Sequence, residues 1–381
     1  MFKEFNLDNF EESKNILEKK IEKSRAAINE LIEIENKTYN NFARPYQEIA
    51  EELNEFITPI FHIDSVKNSE QTQKVHEECL PLISNYETEL SQNEHVYSAL
   101  KDIQSNHSSE ISIIQEKYSL SNENIDELLD FMSSSKPNTS SKSNTFDINS
   151  KYTFNDIQYN DNRLLNATQY KVVENENRDF KLGGCGLDDD NKSRLKEINL
   201  KLSELSHKFS QNLLDSTNAF EMIIDDFEDV KEIPESDLEL ARFDHDGTTK
   251  YKFTLQMPSY IAYITYGSSR EKREKIYKAY CTRSPQNADI INEILKLKYE
   301  RSNILGFDNY AQYSISTKMA KSENDVVSFL EELALKGKGG ARKELKEVER
   351  LALDMDGLSD CQNYDLAYYS EKLKKEKYEI D

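Results

Sequence analysis

The chain has 381 residues, with 71 Asp and Glu against 49 Lys and Arg, a formal net charge of −22. Such a balance repels nucleic acid and anionic membranes, because phosphate binding depends on clustered cations. No apolar run approaches the roughly 18 residues of a membrane span, and the polar opening MFKEFNLDNFEESK lacks a signal-peptide core, so the expectation is a cytoplasmic protein with neither nucleic-acid nor membrane partner.

Four cysteines (Cys79, Cys185, Cys281, Cys361) form no CxxC pair, which argues for reduced thiols over a zinc knuckle or a disulfide framework. Ten glycines, with heavy use of Lys, Glu, Asn and Leu, point to a mainly helical chain.

In chain order, residues 10–42 read as one long helix with Leu17, Ile21, Ile28 and Leu31 on one face. A break at Arg44-Pro45 precedes a second helix carrying Tyr46, Ile49, Leu53, Phe56 and Ile60, and residues 61–69 read as a connection rich in capping residues. A helical hairpin fits 70–104. Residues 133–162, rich in Ser, Asn, Thr and Lys, hold too little apolar surface to offset their ordering entropy and read as a flexible low-complexity insertion. Gly183-Gly184-Cys185-Gly186 is a loop, and Asp188, Asp189 and Asp190 suit the positive start of the next helix, whose seam runs Leu195, Ile198, Leu202, Leu205, Phe209. Residues 221–226 and 250–256 are the good strand candidates, with Tyr251, Phe253 and Leu255 alternating and Asp246-Gly247 supplying turn chemistry, so a small β-ribbon is expected.

Pro258 opens a new element in which Tyr260, Tyr263 and Tyr266 share a drifting helical face. Ile276, Tyr277 and Tyr280 repeat the pattern. Ile290, Ile294, Leu297 and Ile304 form an amphipathic stripe, ended by Leu305-Gly306-Phe307. Ser322 starts a helix whose expected buried face is Val326, Phe329, Leu330 and Leu333, and 336–340 (KGKGG) is expected to stop or loosen it.

Several long strings carry a resemblance: PSYIAYITYGSSREKREKIYKAYCTR and EILKLKYERSNILGFDNYAQYSISTKMA over 258–320, KLSELSHKFSQNLLDST after Leu200, and YDLAYYSEKLKKEKY after Asn363. Over roughly 45–118 and 164–381 the chain resembles the N-terminal half of the oligopeptidase A branch of the thimet-type (M3) zinc oligopeptidases. It departs from the family at 336–340, where Arg and Pro are usual, and at Tyr364, where tryptophan is usual. The resemblance implies an elongated multi-helix array: a helical region over 1–132, the insertion at 133–162, and a second helical region with the β-ribbon over 163–381, leading into a catalytic half. It also implies that this wall of helices borders the channel that admits short peptides.

The family's zinc is held by a His-Glu-x-x-His helix whose Glu acts as base on metal-bound water. This chain has no such motif. His76-Glu77-Glu78-Cys79-Leu80 lacks the second His, and no two of the six histidines stand three or four apart. His76 with nearby carboxylates is a weak candidate for an unrelated metal site. Asp244-His-Asp246-Gly247 lacks the rest of a calcium loop, and the 183–186 glycines lack the Lys-Ser/Thr of a phosphate loop. Cys185 could be accessible but adjoins no cation.

The expectation is therefore no catalytic and no metal residue in this chain, zinc only in the complete family enzyme, and substrate contacts unassigned. Tyr260, Tyr263 and Tyr266 suit channel lining and core packing alike. Two functions follow. The chain is the non-catalytic portion of a zinc oligopeptidase, inactive without a C-terminal half that docks on exposed apolar surface around 258–320 and 364–381. Alternatively, it is a stand-alone helical peptide-binding scaffold.

Overall fold

The computed structural model describes residues 10–134, 160 and 162–378; most of the 133–162 insertion lies outside them. Among the described residues the chain is mainly helical with one three-stranded antiparallel ribbon, as the sequence predicts. It divides into two compact units, Met1–Glu204 and Leu205–Asp381.

The first unit holds α1 (Ser13–Ile32), α2 (Arg44–Val66), α3 (Glu70–Ser91), α4 (Glu94–Tyr118), α5 (Asn122–Ser134), α6 (Ala167–Leu182) and the start of α7 (Asp189–Ala219). The single helix expected over 10–42 is instead α1 followed by a separate π-helical turn, Tyr39–Ala43. Asn36 at φ 53° reverses the chain between them, and Thr38 with Asn41 caps the new turn. The connection expected at 61–69 shrinks to three residues, because α2 runs on to Val66 and its apolar periodicity continues through Ile60 and Ile63. Ser69 and Thr72 then make a reciprocal capping box for α3. Leu17, Ile21, Leu53, Ile57, Val75, Cys79 and Tyr86 bury one interface among α1, α2 and α3. Phe42, Tyr46, Val96, Leu100, Val173 and Phe180 bury a second around α4 and α6.

One titratable group is locked inside this unit. The amide of Leu165 donates to Nδ1 of His107 at 3.0 Å, and burial holds the imidazole pKa below its ordinary value. The folded ring is therefore neutral, while the unfolded ring gains a proton near pH 6.5. The resulting stability is complete above about pH 6.5 and is lost as pH falls through the depressed folded value. Between pH 7 and 5 the wild-type unfolding free energy is expected to fall by up to about 1.4 kcal/mol per pH unit more than that of His107→Asn. Parallel pH curves in urea titrations would contradict this.

The second unit opens with the end of α7 and β1 (Glu221–Ile224), followed by α8 (Glu235–Ala241), β2 (Arg242–His245) and β3 (Thr248–Thr254). The strand order is β1-β3-β2. Tyr251, Phe253 and Leu255 face the core as the alternation predicts, with Met222 opposite Phe253 and Ile224 opposite Tyr251. Asp246 (φ 51°) and Gly247 (φ 74°) form the two-residue turn that pairs His245 with Thr248. Strand β2 was not expected. Arg-Phe-Asp-His exposes all but Phe243, so it carries no alternation to read.

Four short or medium helices follow: α9 (Met257–Tyr266), α10 (Arg270–Cys281), α11 (Asn287–Ile304) and α12 (Tyr310–Ile315). Gly306, at φ 84°, follows the end of α11 as anticipated. The long α13 (Glu323–Asp356) and α14 (Asn363–Tyr378) close the unit.

Candidate functional site

Helix α9 is set by its flanks. Pro258 sits in its first turn, where a missing N–H costs nothing, and the Ser259 hydroxyl accepts from the Thr254 amide at 2.9 Å. At its end, a Cβ on Gly267 would lie 2.6 Å from the Tyr263 ring and 2.7 Å from the Tyr263 carbonyl, so only glycine fits. The three tyrosines separate in role. Tyr263 is fully buried against Phe253, ring centroids 4.9 Å apart, and burial pushes its phenol well up. Tyr260 stacks on Tyr280 at 4.1 Å, and burial raises it to about 12. Tyr266 is half-buried with Lys375 above its ring.

Behind this helix lies a buried charge network. The Asp365 carboxylate, 0% exposed, accepts from Arg270 Nε (3.1 Å) and Nη2 (2.9 Å), from Arg273 Nη2 (3.1 Å) and from the Gln362 amide (3.0 Å). Arg273, 1% exposed, also donates to the carbonyls of Gly267 (2.9 Å) and Ser268 (3.0 Å), and its guanidinium lies 4.1 Å from the Tyr368 ring centroid. These partners come from α10, α14 and the turn after α9. Arg273 Nε is buried without a hydrogen-bond partner, but the other donors named fix α14 in place, so the network holds structure.

The open feature of the unit is apolar. Val348 and Ala352 of α13 are covered by Tyr368 and Tyr369 of α14. Toward its N-terminal end, α13 shows Phe329 (61%), Leu330 (56%) and Leu333 (51%) to solvent. Helix α11 adds Ile291, Leu295 and Tyr299, four residues apart and all exposed. This corrects two expectations. Val326, Phe329, Leu330 and Leu333 form an apolar face, but that face is exposed, because α14 reaches only the far end of α13 and α12 meets its start, where Gln312 donates to Glu323. The glycines at 337, 339 and 340 do not end the helix, which runs unbroken from Glu323 to Asp356. Exposed apolar side chains do occur within 258–320 (Ile261, Ile291, Leu295, Tyr299, Met319); in the 364–381 stretch Tyr378 is exposed, while Tyr368 and Tyr369 are spent on internal packing.

The histidines do not build the family's metal helix. His76 Nδ1 stands 2.7 Å from Asp64 Oδ2, its ring lies 4.4 Å from Phe61, and the position four residues on is Leu80. Asp64 is itself held by Thr72 Oγ1 (3.0 Å) and Asn68 Nδ2 (2.9 Å), so the pair ties the end of α2 to α3. The His-Glu-x-x-His donor set is absent from the sequence, and the residues present do not fit a zinc of that kind. Cys79 and Cys185 are buried, and burial raises both thiols, Cys79 to about 11. Cys281 is exposed. Among the described residues no helix is long and apolar enough to cross a membrane.

Known families and proteins match most of this chain. Residues 15–119 match the family described as Neurolysin/Thimet oligopeptidase, N-terminal domain, and residues 263–381 match Peptidase family M3. Oligopeptidase A of Haemophilus influenzae is 31% identical over 376 residues, covering 96% of this chain and 47% of that relative. Oligopeptidase A of Escherichia coli is 31% identical over 354 residues, 90% of this chain and 44% of the relative. The probable cytosolic oligopeptidase A of Arabidopsis thaliana is 32% identical over 232 residues, 57% of this chain and 33% of the relative. The chain belongs to peptidase family M3 and is oligopeptidase A-like. It spans about half the length of the curated bacterial relatives it matches.

Proposed function

We propose that this chain is the non-catalytic, N-terminal portion of a zinc oligopeptidase that hydrolyses short peptides in the cytoplasm. Its helices form one wall of the peptide channel. The His-Glu-x-x-His helix, its zinc and its general base belong to a C-terminal catalytic portion, and the chain by itself is inactive. The observation that carries this reading is the bare apolar face of α13 and α11 in a chain matching only 47% of a relative. Exposed apolar helix faces of this kind mark interaction sites, and about half of the relative's length lies outside the match.

The reading predicts association. Sedimentation of the chain mixed with a catalytic portion should give a one-to-one complex, and hydrogen exchange along α13 should slow within it. A stable monomer that ignores the catalytic portion, with α13 exchange unchanged, would overturn the reading and leave a helical peptide-binding scaffold.

A further inference from the structure

The exposed stripe on α13 does not stop at Leu333. At about 100° per residue, Gly337 and Gly340 fall within about 50° of the line through Val326, Leu330 and Leu333, while Gly339 lies about 150° away. Val348, covered by α14, falls on the same line, beyond Glu344, which also lies on it. A Cβ placed at Gly337, Gly339 or Gly340 would meet nothing within 4 Å. Nothing described in this chain therefore requires glycine there, although glycine weakens a helix interior. A glycine on an apolar helix face lets another backbone approach closely. The charges along the helix are also divided. By the same spacing the charges that flank the stripe are Glu323 and Asp325 at its start and Lys336, Lys338 and Lys343 beyond Leu333, whereas Glu331, Glu332, Arg342 and Lys346 face away from it.

We propose that a helix of the M3 catalytic portion lies along this stripe and crosses α13 at Gly337 and Gly340. It carries basic residues beside Glu323 and Asp325 and acidic residues beside Lys336, Lys338 and Lys343. The proposal rests on the reading above and adds where the two portions cross and with what polarity. Charge complementarity of that kind sets register and orientation more than bulk affinity.

The experiment is co-expression of the tagged chain with the part of Haemophilus influenzae oligopeptidase A that the chain does not match, comparing Gly337→Leu, Gly340→Leu and Gly339→Leu. Leucine is the better helix former at all three positions, so circular dichroism of each free variant should show helix content equal to or above wild type. Recovery of complex should fall about tenfold or more for Gly337→Leu and Gly340→Leu, from overpacking at the crossing, and stay at the wild-type level for Gly339→Leu. If all four chains recover the partner equally, the crossing is elsewhere and the inference fails. An equal fall in all three variants would mean that the glycines act by loosening the helix, which also overturns it. No complex with the wild-type chain would sink the reading beneath it. Self-association of the free chain, lost in the Gly337 and Gly340 variants, would instead assign the stripe to a second copy.

Discussion

An Asp365→Ala chain is expected to lose about 3–5 kcal/mol of stability in its second unit, because the change strands Arg273 as an unpaired buried charge. Arg273 is 1% exposed and would keep only the carbonyls of Gly267 and Ser268 and the face of Tyr368. The loss would also free α14, whose Tyr368 and Tyr369 cover the end of α13. Arg270 has a 41% exposed side chain, so Arg270→Ala should cost far less, about 1 kcal/mol. Urea unfolding of the two variants beside wild type separates the effects. A loss below about 1 kcal/mol for Asp365→Ala would show that the network contributes little to holding α14.

The second large effect falls on association while stability is spared. Phe329 and Leu330 are more than half exposed, so replacing both with serine should leave the free chain within about 0.5 kcal/mol of wild type. In a complex each would be buried, at about 1.5–3 kcal/mol per side chain, so the double variant should bind the catalytic portion at least about 100-fold more weakly. Titration against that portion and a urea curve of the free chain check the two halves. A marked loss of stability in the free chain would mean that the face is already covered from within.

Much of this fold can be read from the residues because its signals are local. Pro258 starts α9, Ser322 caps α13 through the Asp325 amide, Asp246-Gly247 turns the hairpin, and the Tyr251–Leu255 alternation gives the buried strand face. What escapes is of two kinds. Periodicity shows that α13 has an apolar face, but not what lies on it, so Phe329 and Leu330 read as core. Glycine costs a helix interior about 1 kcal/mol, and three in four positions looked decisive. The Leu, Ala, Lys and Glu residues on either side, with one end packed on α14, outweigh them. The Arg273–Asp365 pair joins residues 92 apart and has no sequence signature. No catalytic or metal residue was expected. The open face was anticipated for the right unit, though its largest part lies on α13, between the two stretches named.

The most direct measurement is hydrolysis of a short fluorogenic peptide in the presence of zinc, by the purified chain alone and with a catalytic portion of an oligopeptidase A. The account predicts silence from the chain alone, activity on mixing, and loss of that activity with a chelator. Zinc-dependent hydrolysis by the chain alone would contradict it.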